Sequence, residues 1–123
     1  MNSALPTYVL VTPARNEAAF IEQTITSVVK QTVRPLRWVI ISDGSTDGTD
    51  DIVRGFSAQH DWIELLRLPE RVQRDFSGKV AAVNAGRARM AGLQYDAIGN
   101  LDADLSFDED YFAFLLEKLA GDP

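Results

Sequence analysis

The sequence predicts an α/β fold built on a doubly wound, mainly parallel sheet of four strands in the order 3-2-1-4. Three observations carry that expectation. Short apolar runs alternate with helix-period stretches along the chain, giving β-α-β-α-β-α-β-α, the pattern of a parallel sheet with helices on both faces. Polar clusters follow the first, second and fourth apolar runs directly. The length of 123 residues suits one domain with a buried core and is short for two, so residues 1–123 are read as a single domain.

Each element has a local cause. Tyr8-Val9-Leu10-Val11-Thr12 is an apolar run bounded by Pro6 and Pro13, which reads as a buried strand. Ile21, Ile25, Val28 and Val29 recur at helical spacing, and that helix is expected to stop near Gln31, before Pro35. Leu36 to Ile41 reads as the second strand. Ile52, Val53 and Phe56 mark one face of a second helix starting near Asp50, with its cap in the Ser45–Thr49 region. Ile63 to Leu68 is a third strand, stopped by Pro69. Glu70 to Gly78 is polar and reads as a loop. Lys79 to Met90 is Ala-rich and helical, and its small side chains predict close packing on a sheet. Ala97 to Leu101 is the fourth strand. Tyr111, Leu115, Leu116 and Leu119 are expected to share one face of a last helix, with Gly121 and Pro123 as its stop. Asp108, Glu109 and Asp110 read as its acidic first turn.

Composition excludes several classes. There is no cysteine, hence no disulfide framework and no thiolate metal site. No apolar run approaches the ~20 residues of a membrane span, and the first residues lack the basic and apolar regions of a signal peptide. The expectation is a cytoplasmic protein, placed at the cytoplasmic face of a membrane if a longer polypeptide carries spanning helices. A net charge of −6 argues against nucleic acid as a partner, since phosphate contacts need an excess of Lys and Arg. A phosphate-bearing ligand would therefore need local positive charge or a metal ion.

In a 3-2-1-4 sheet the order reverses between strands one and four, and ligands bind beyond the carboxyl ends there. Those ends carry Pro13-Ala14-Arg15, Asp43-Gly44 and Asp102-Ala103-Asp104. Asp43 begins the run Asp43-Gly44-Ser45-Thr46-Asp47-Gly48-Thr49. A carboxylate at that strand end can accept from the ring N–H of uracil or guanine; as an alternative, it forms a local Asx-turn. Asp47 reads as a cap for the second helix. Asp102 and Asp104, two residues apart, can reach one hard cation such as Mg²⁺ or Mn²⁺; the alternative is that Asp104 caps the segment that follows. Two like charges ~4 Å apart repel by about 4 kcal/mol at an effective dielectric of ~20, so carboxylates beside a diphosphate call for a bridging cation. Lys79 is expected to open the third helix and add charge to its anion-binding end. Arg71, Arg74, Lys79, Arg87 and Arg89 share the 71–89 stretch with a single acid, Asp75, though Arg87 and Arg89 read as solvated. His60 reads as a surface residue. No Ser-His-Asp set or Cys nucleophile can be assembled.

These residues resemble the family 2 glycosyltransferases of the GT-A fold, whose donor-binding half is Rossmann-like. The matching pieces are Thr12-Pro13-Ala14-Arg15-Asn16-Glu17, Ile40 to Thr49, Gly78 to Gly86, and Leu101-Asp102-Ala103-Asp104. They occur in the family's order over most of Tyr8–Asp104. The resemblance implies that Pro13, Ala14, Arg15 and Glu17 line a nucleoside pocket and that Asp43 bonds the base. It implies that Lys79 lies near base or diphosphate, that Asp102 and Ala103 sit at the donor, and that Asp104, with Asp102, binds the divalent ion. The implied reaction moves a sugar from a nucleotide diphosphate sugar, UDP- before GDP-, to an acceptor hydroxyl with inversion, as in polysaccharide or cell-envelope synthesis. Ser42 stands where the family often has Asp. No acid after Asp104 matches the family's general base, which is expected beyond Pro123, so the chain by itself is expected to bind donor and transfer poorly.

Two other classes fit parts of the pattern. A haloacid dehalogenase-type phosphatase uses an Asp-x-Asp after an apolar strand, but there the motif opens the fold. A non-catalytic nucleotide-binding or interaction module would bind without metal. The uncovered edge of the fourth strand also predicts self-association.

Overall fold

Side-chain alternation along the first two strands divides the core into two faces. Tyr8, Leu10, Ala14, Trp38 and Ile40 point to one side, and Val9, Val11, Val39 and Ile41 to the other, all of them buried. Strands apolar on both faces belong at the centre of a parallel sheet covered by helices on each side.

The computed structural model describes residues 5–68 and 76–121, without the side chains of residues 76–79. Its elements are β1 (Tyr8–Ala14), α1 (Ile21–Val29), β2 (Arg37–Asp43), α2 (Thr49–Ser57), β3 (Ile63–Leu68), α3 (Phe76–Ala88), β4 (Ala97–Asn100) and α4 (Tyr111–Gly121). The sheet order is β3-β2-β1-β4 and each neighbouring pair is parallel. The α/β class and the 3-2-1-4 order follow the sequence expectation.

The face carrying Trp38 packs with Ile21, Ile25 and Val28 of α1, Val53 of α2, and Phe112 and Leu116 of α4. The opposite face packs with Ala82 of α3 and with Met90. Trp38 is fully buried, and its indole N–H donates to Thr12 Oγ1 at 2.8 Å. That bond contributes about 1 kcal/mol net and satisfies two polar groups that would otherwise be costly inside the core. Tyr8 stacks tilted on Phe112 with ring centroids 4.9 Å apart, and its hydroxyl donates to Val33 O. Burial pushes that phenol's pKa upward.

Several boundaries differ from the sequence expectation. β1 runs on through Pro13 to Ala14, and β2 through Ser42 to Asp43. Proline's φ suits an extended end, so Pro13 did not stop the strand. α1 ends at Val29, short of Gln31. β4 ends at Asn100, although Leu101 N–H still donates to Val11 O at 2.9 Å. α3 begins at Phe76, so Gly78 lies inside it and Lys79 is its fourth residue and not its opening one. Gly78 costs about 1 kcal/mol of helix propensity, an amount that tertiary packing overrides. Most of the loop expected over Glu70–Gly78, with Arg71, Arg74 and Asp75, lies outside the described residues.

The last helix also turns differently. Phe112 and Leu116 are its buried residues, whereas Tyr111, Leu115 and Leu119 are exposed. Phe112 is drawn in by Tyr8, and Gln31 accepts from the Phe112 N–H at 2.9 Å. Asp108, Glu109 and Asp110 precede the first turn instead of forming it. His60 is half-buried against Trp62. Arg89 lies beyond α3 and is ion-paired with Glu64 of β3, so it is more than a solvated charge. No helix among the described residues is long and apolar enough to cross a membrane.

Close packing of α3 rests on Gly86. A Cβ there would fall 2.5 Å from Ile41 Cδ1 and 2.7 Å from Val11 Cγ1. Gly55 of α2 has nothing within 4 Å. Gly86→Ala should therefore destabilise the protein by about 1–3 kcal/mol through overpacking, despite its better helix propensity. Gly55→Ala should stabilise it by roughly 0.5–1 kcal/mol. Urea unfolding of both variants checks the opposite signs.

Candidate functional site

Parallel pairing puts the carboxyl ends of the strands on one edge of the sheet. Ala14 lies beside Ser42, and Asp43 beside Leu68. On the other flank Val11 pairs with Asn100. The segments that leave β1, β2 and β4 therefore emerge along one rim, across the point where the strand order reverses.

Two of those segments are joined by a polar zipper. Asn16 is the one non-glycine residue with positive φ among those described, at 56°, a conformation that Asn tolerates better than most residues. Held that way, its Oδ1 accepts from Thr46 N–H at 2.8 Å and Asp47 N–H at 3.3 Å. Its own N–H donates to Ser45 Oγ at 3.1 Å. Glu17 N–H donates to Thr49 Oγ1 at 2.9 Å, and Ala18 N–H to Asp47 Oδ2 at 3.1 Å. From β3, Arg67 donates to Ser45 O at 3.1 Å and pairs with Asp50 at 2.5 Å. Gly44, at φ 70°, makes the sharp exit from β2 that a side chain would strain.

Asp47 takes the capping part expected of it. Its Oδ1 accepts from Thr49 N–H at 2.9 Å and from the Thr49 hydroxyl at 2.5 Å. The Thr49 hydroxyl lowers the Asp47 pKa most, with further help from backbone N–H groups. Asp43, by contrast, is buried at the strand end. Two buried polar atoms lack a hydrogen-bond partner among the described residues, Ser42 Oγ and Asp50 Oδ1.

The acidic motif has a different support. Leu101 and Ala103 are buried, while Asp102 and Asp104 are exposed on either side of Ala103. Two polar residues of α1, with Gln31 just beyond its end, hold the chain that follows. Thr24 meets Ala103 and Leu105. Ser27 accepts from Phe107 N–H at 3.3 Å. Gln31 donates to Asp108 O at 2.6 Å and accepts from Phe112 N–H.

Asp102 and Asp104 offer hard oxygen donors of the type divalent cations take. Among the described residues no group of three His, Cys, Asp or Glu converges on one point. An ion held by this pair would draw its other ligands from water and phosphate oxygens, as Mg²⁺ commonly does.

Of the residues singled out in the sequence, Pro13, Ala14, Arg15 and Glu17 stand on the β1 exit, Asp43 on the β2 exit, and Asp102, Ala103 and Asp104 on the β4 exit. Arg15 is exposed and Ala14 buried. Lys79 lies in the first turn of α3, and its side chain is outside the described residues. Sequence reasoning passed over Asn16 and Thr24. Asn16 could have been found from the taste of Asn for left-handed backbone beside a motif; Thr24 carries no such signal, because a Thr inside a helix reads as a neutral filler.

The family model for glycosyl transferase family 2 matches residues 9–123. The chain belongs to that family. The glycosyltransferase AglE of Haloferax volcanii is 32% identical over 98% of this chain and 38% of its own length. Among solved structures, S. aureus TarS 1-349 in complex with UDP superposes with a TM-score of 0.73 at 17% identity, over 94% of this chain and 32% of that one. At that identity the likeness shows the fold, that of the GT-A glycosyltransferases. The mannosyltransferase PcManGT from Pyrobaculum calidifontis, in complex with GDP-Man and Mn²⁺, is 27% identical with a TM-score of 0.64, over 85% of this chain and 29% of that one. The chain thus spans about a third of the length of these proteins.

The zipper makes one acid-sensitive prediction. A carboxylate whose pKa is lowered on folding stabilises the fold fully above its unfolded pKa, about 3.9 for Asp. That stability is lost as pH falls through the lower folded value. Asp47→Ala should cost about 1 kcal/mol at pH 7, the usual loss for a cap. Denaturant unfolding from pH 7 to pH 3 should show the gap between wild type and variant closing only below about pH 3.9.

Proposed function

We propose that this chain is the donor-binding part of an inverting glycosyltransferase that takes a nucleotide diphosphate sugar, UDP-linked, and passes the sugar to an acceptor hydroxyl. The observation that carries the reading is the convergence of the β1, β2 and β4 exits on one rim in a family 2 chain. A nucleotide spanning that rim would set its base against the zipped β1 and β2 exits and its diphosphate toward β4. Asp43 would accept from the ring N–H of the base, between Pro13-Ala14-Arg15 and Glu17. Lys79, in the first turn of α3, would stand toward base or diphosphate, and Asp102 and Ala103 would meet the ribose side. Asp104, with Asp102, would hold a divalent ion, Mn²⁺ or Mg²⁺. When bound, that ion neutralises charge on the departing diphosphate. The net charge of −6 supports a metal, because two carboxylates beside a diphosphate repel it otherwise.

The bound UDP of TarS and the GDP-Man and Mn²⁺ of PcManGT support a nucleotide donor and a cation. The family resemblance supports inversion. None of these motif residues remains to serve as general base for the acceptor, so donor binding is the activity this site accounts for, and we propose that the chain on its own does not transfer sugar. Sheet pairing supports a weaker proposal: among the described residues β4 pairs only with β1, and its other edge would let copies associate. Sedimentation at rising concentration should show a growing dimer; a monomer throughout would remove that idea.

Calorimetric titration with UDP and GDP, each with and without Mn²⁺, tests the main reading. Binding should tighten with Mn²⁺, and Asp104→Asn should abolish the metal response while leaving the fold intact. Asp43→Ala should weaken nucleotide binding by roughly 10–100-fold, the loss of one or two charge-assisted hydrogen bonds. Metal-independent binding would sink the ion assignment, and tighter binding of GDP would replace uracil by guanine.

A further inference from the structure

We propose that Thr24 is a positioning residue for the cation-binding acid Asp104, acting through the backbone on either side of it. The inference rests on the reading of Asp104 as an ion ligand and goes beyond it, because Thr24 lies on another element, 80 residues earlier in the chain.

Thr24 is fully buried in the middle of α1. Its Oγ1 lies 3.0 Å from Ala103 O and 2.6 Å from Leu105 O, and it accepts from Leu105 N–H at 2.9 Å. The Ala103 carbonyl belongs to the peptide unit before Asp104, and the Leu105 N–H to the unit after it. One hydroxyl therefore grips both peptide planes that flank Asp104, and these planes set its φ and ψ. The third contact, to Leu105 O, steadies the next plane. With a single proton to give, the hydroxyl shares it between the two carbonyls, and its lone pairs serve the amide. The fourth neighbour, Phe20 O of its own helix at 3.4 Å, is the usual partner of a helical Thr and is the longest of the set.

The geometry has a direct chemical meaning. Ala103 is buried and Asp104 exposed, so the bend must hold one side chain in and the next out. Among the described residues the Asp104 side chain makes no hydrogen bond, so its aim comes from its backbone. Partners that orient a metal ligand commonly cost 10–100-fold in metal affinity when removed.

Thr24→Val keeps the branched shape and removes the hydroxyl; Thr24→Ser keeps the hydroxyl and removes the methyl. The probe is Mn²⁺ with UDP, read by calorimetry and by the electron paramagnetic resonance of free Mn²⁺. Thr24→Val should weaken Mn²⁺ binding by about 10-fold or more, with metal-free nucleotide binding unchanged. Hydrogen exchange at the Leu105 amide should accelerate in the same variant. Thr24→Ser should retain both the Mn²⁺ affinity and the Leu105 protection. If Thr24→Val binds Mn²⁺ like wild type, or if Thr24→Ser loses as much as Thr24→Val, Thr24 is a packing residue and the inference is wrong. Should Thr24→Val fail to fold, Thr24→Ala, which also removes the hydroxyl, takes its place, with the same loss of Mn²⁺ affinity expected and wild-type affinity overturning the inference. A wild-type protein that ignores Mn²⁺, or an Asp104→Asn variant that responds normally, would instead overturn the ion reading itself. The two failures are told apart by the wild-type and Asp104→Asn titrations, which do not involve Thr24.

Discussion

Everything at the rim depends on the register of three parallel strands. Ala14 beside Ser42, and Val11 beside Asn100, bring the exits of β1, β2 and β4 to one edge of the sheet, β4 leaving it three residues before the end of β1. A parallel ladder cannot slip by one residue without exchanging its two faces. Here both faces are buried, and Trp38 bonds Thr12 across the pair, so a slip would strand a buried indole N–H as well as misplace apolar groups. The geometry of the rim is thus maintained by a core that includes only Ala14 and Ala103 of the residues proposed to touch ligand.

On that base, the loops are ordered by polar contacts with each other. Asn16 and Asp47 supply acceptors to backbone N–H groups of the opposite loop, and Thr49 links the two. The β1 and β2 exits therefore behave as one wall. Such wall-building explains why the Asp43–Thr49 run is so polar: Ser45, Asp47 and Thr49 are occupied by structure. Arg67 adds a third anchor from β3, through Ser45 O and Asp50.

Strand identity, strand order and the position of all three exits were legible in the sequence, because apolar runs and right-handed crossovers leave few arrangements. Boundaries were less so. Pro13 and Gly78 looked like boundaries, yet strand pairing carried β1 past one, and α3 starts before the other. The face of α4 was misread because its apolar residues nearly encircle it. Only contact with Tyr8 and Gln31, both far away in sequence, selects Phe112 and Leu116. For the site, the acids and the Pro-Ala-Arg-Asn-Glu run stood out by type and spacing. Asn16 as a clamp and Thr24 as a backbone grip did not, since each acts through peptide groups that no side-chain pattern reveals.

Helix α1 has a second consequence beyond covering the sheet. Its entry loop is fastened to the β2 exit through Glu17 and Ala18, and its Thr24 and Ser27, with Gln31 just beyond the helix, are fastened to the chain after β4. The two walls, already joined through the pairing of their strands with β1, are thus also tied to one rod. A helix rises 1.5 Å per residue, so the span between them is set like the jaws of a caliper whose beam is a fixed number of turns. Displacing the beam moves both jaws together and preserves the gap. Adding or removing a residue between Ala18 and Thr24 would change the gap itself, and with it the length of molecule that fits across the rim.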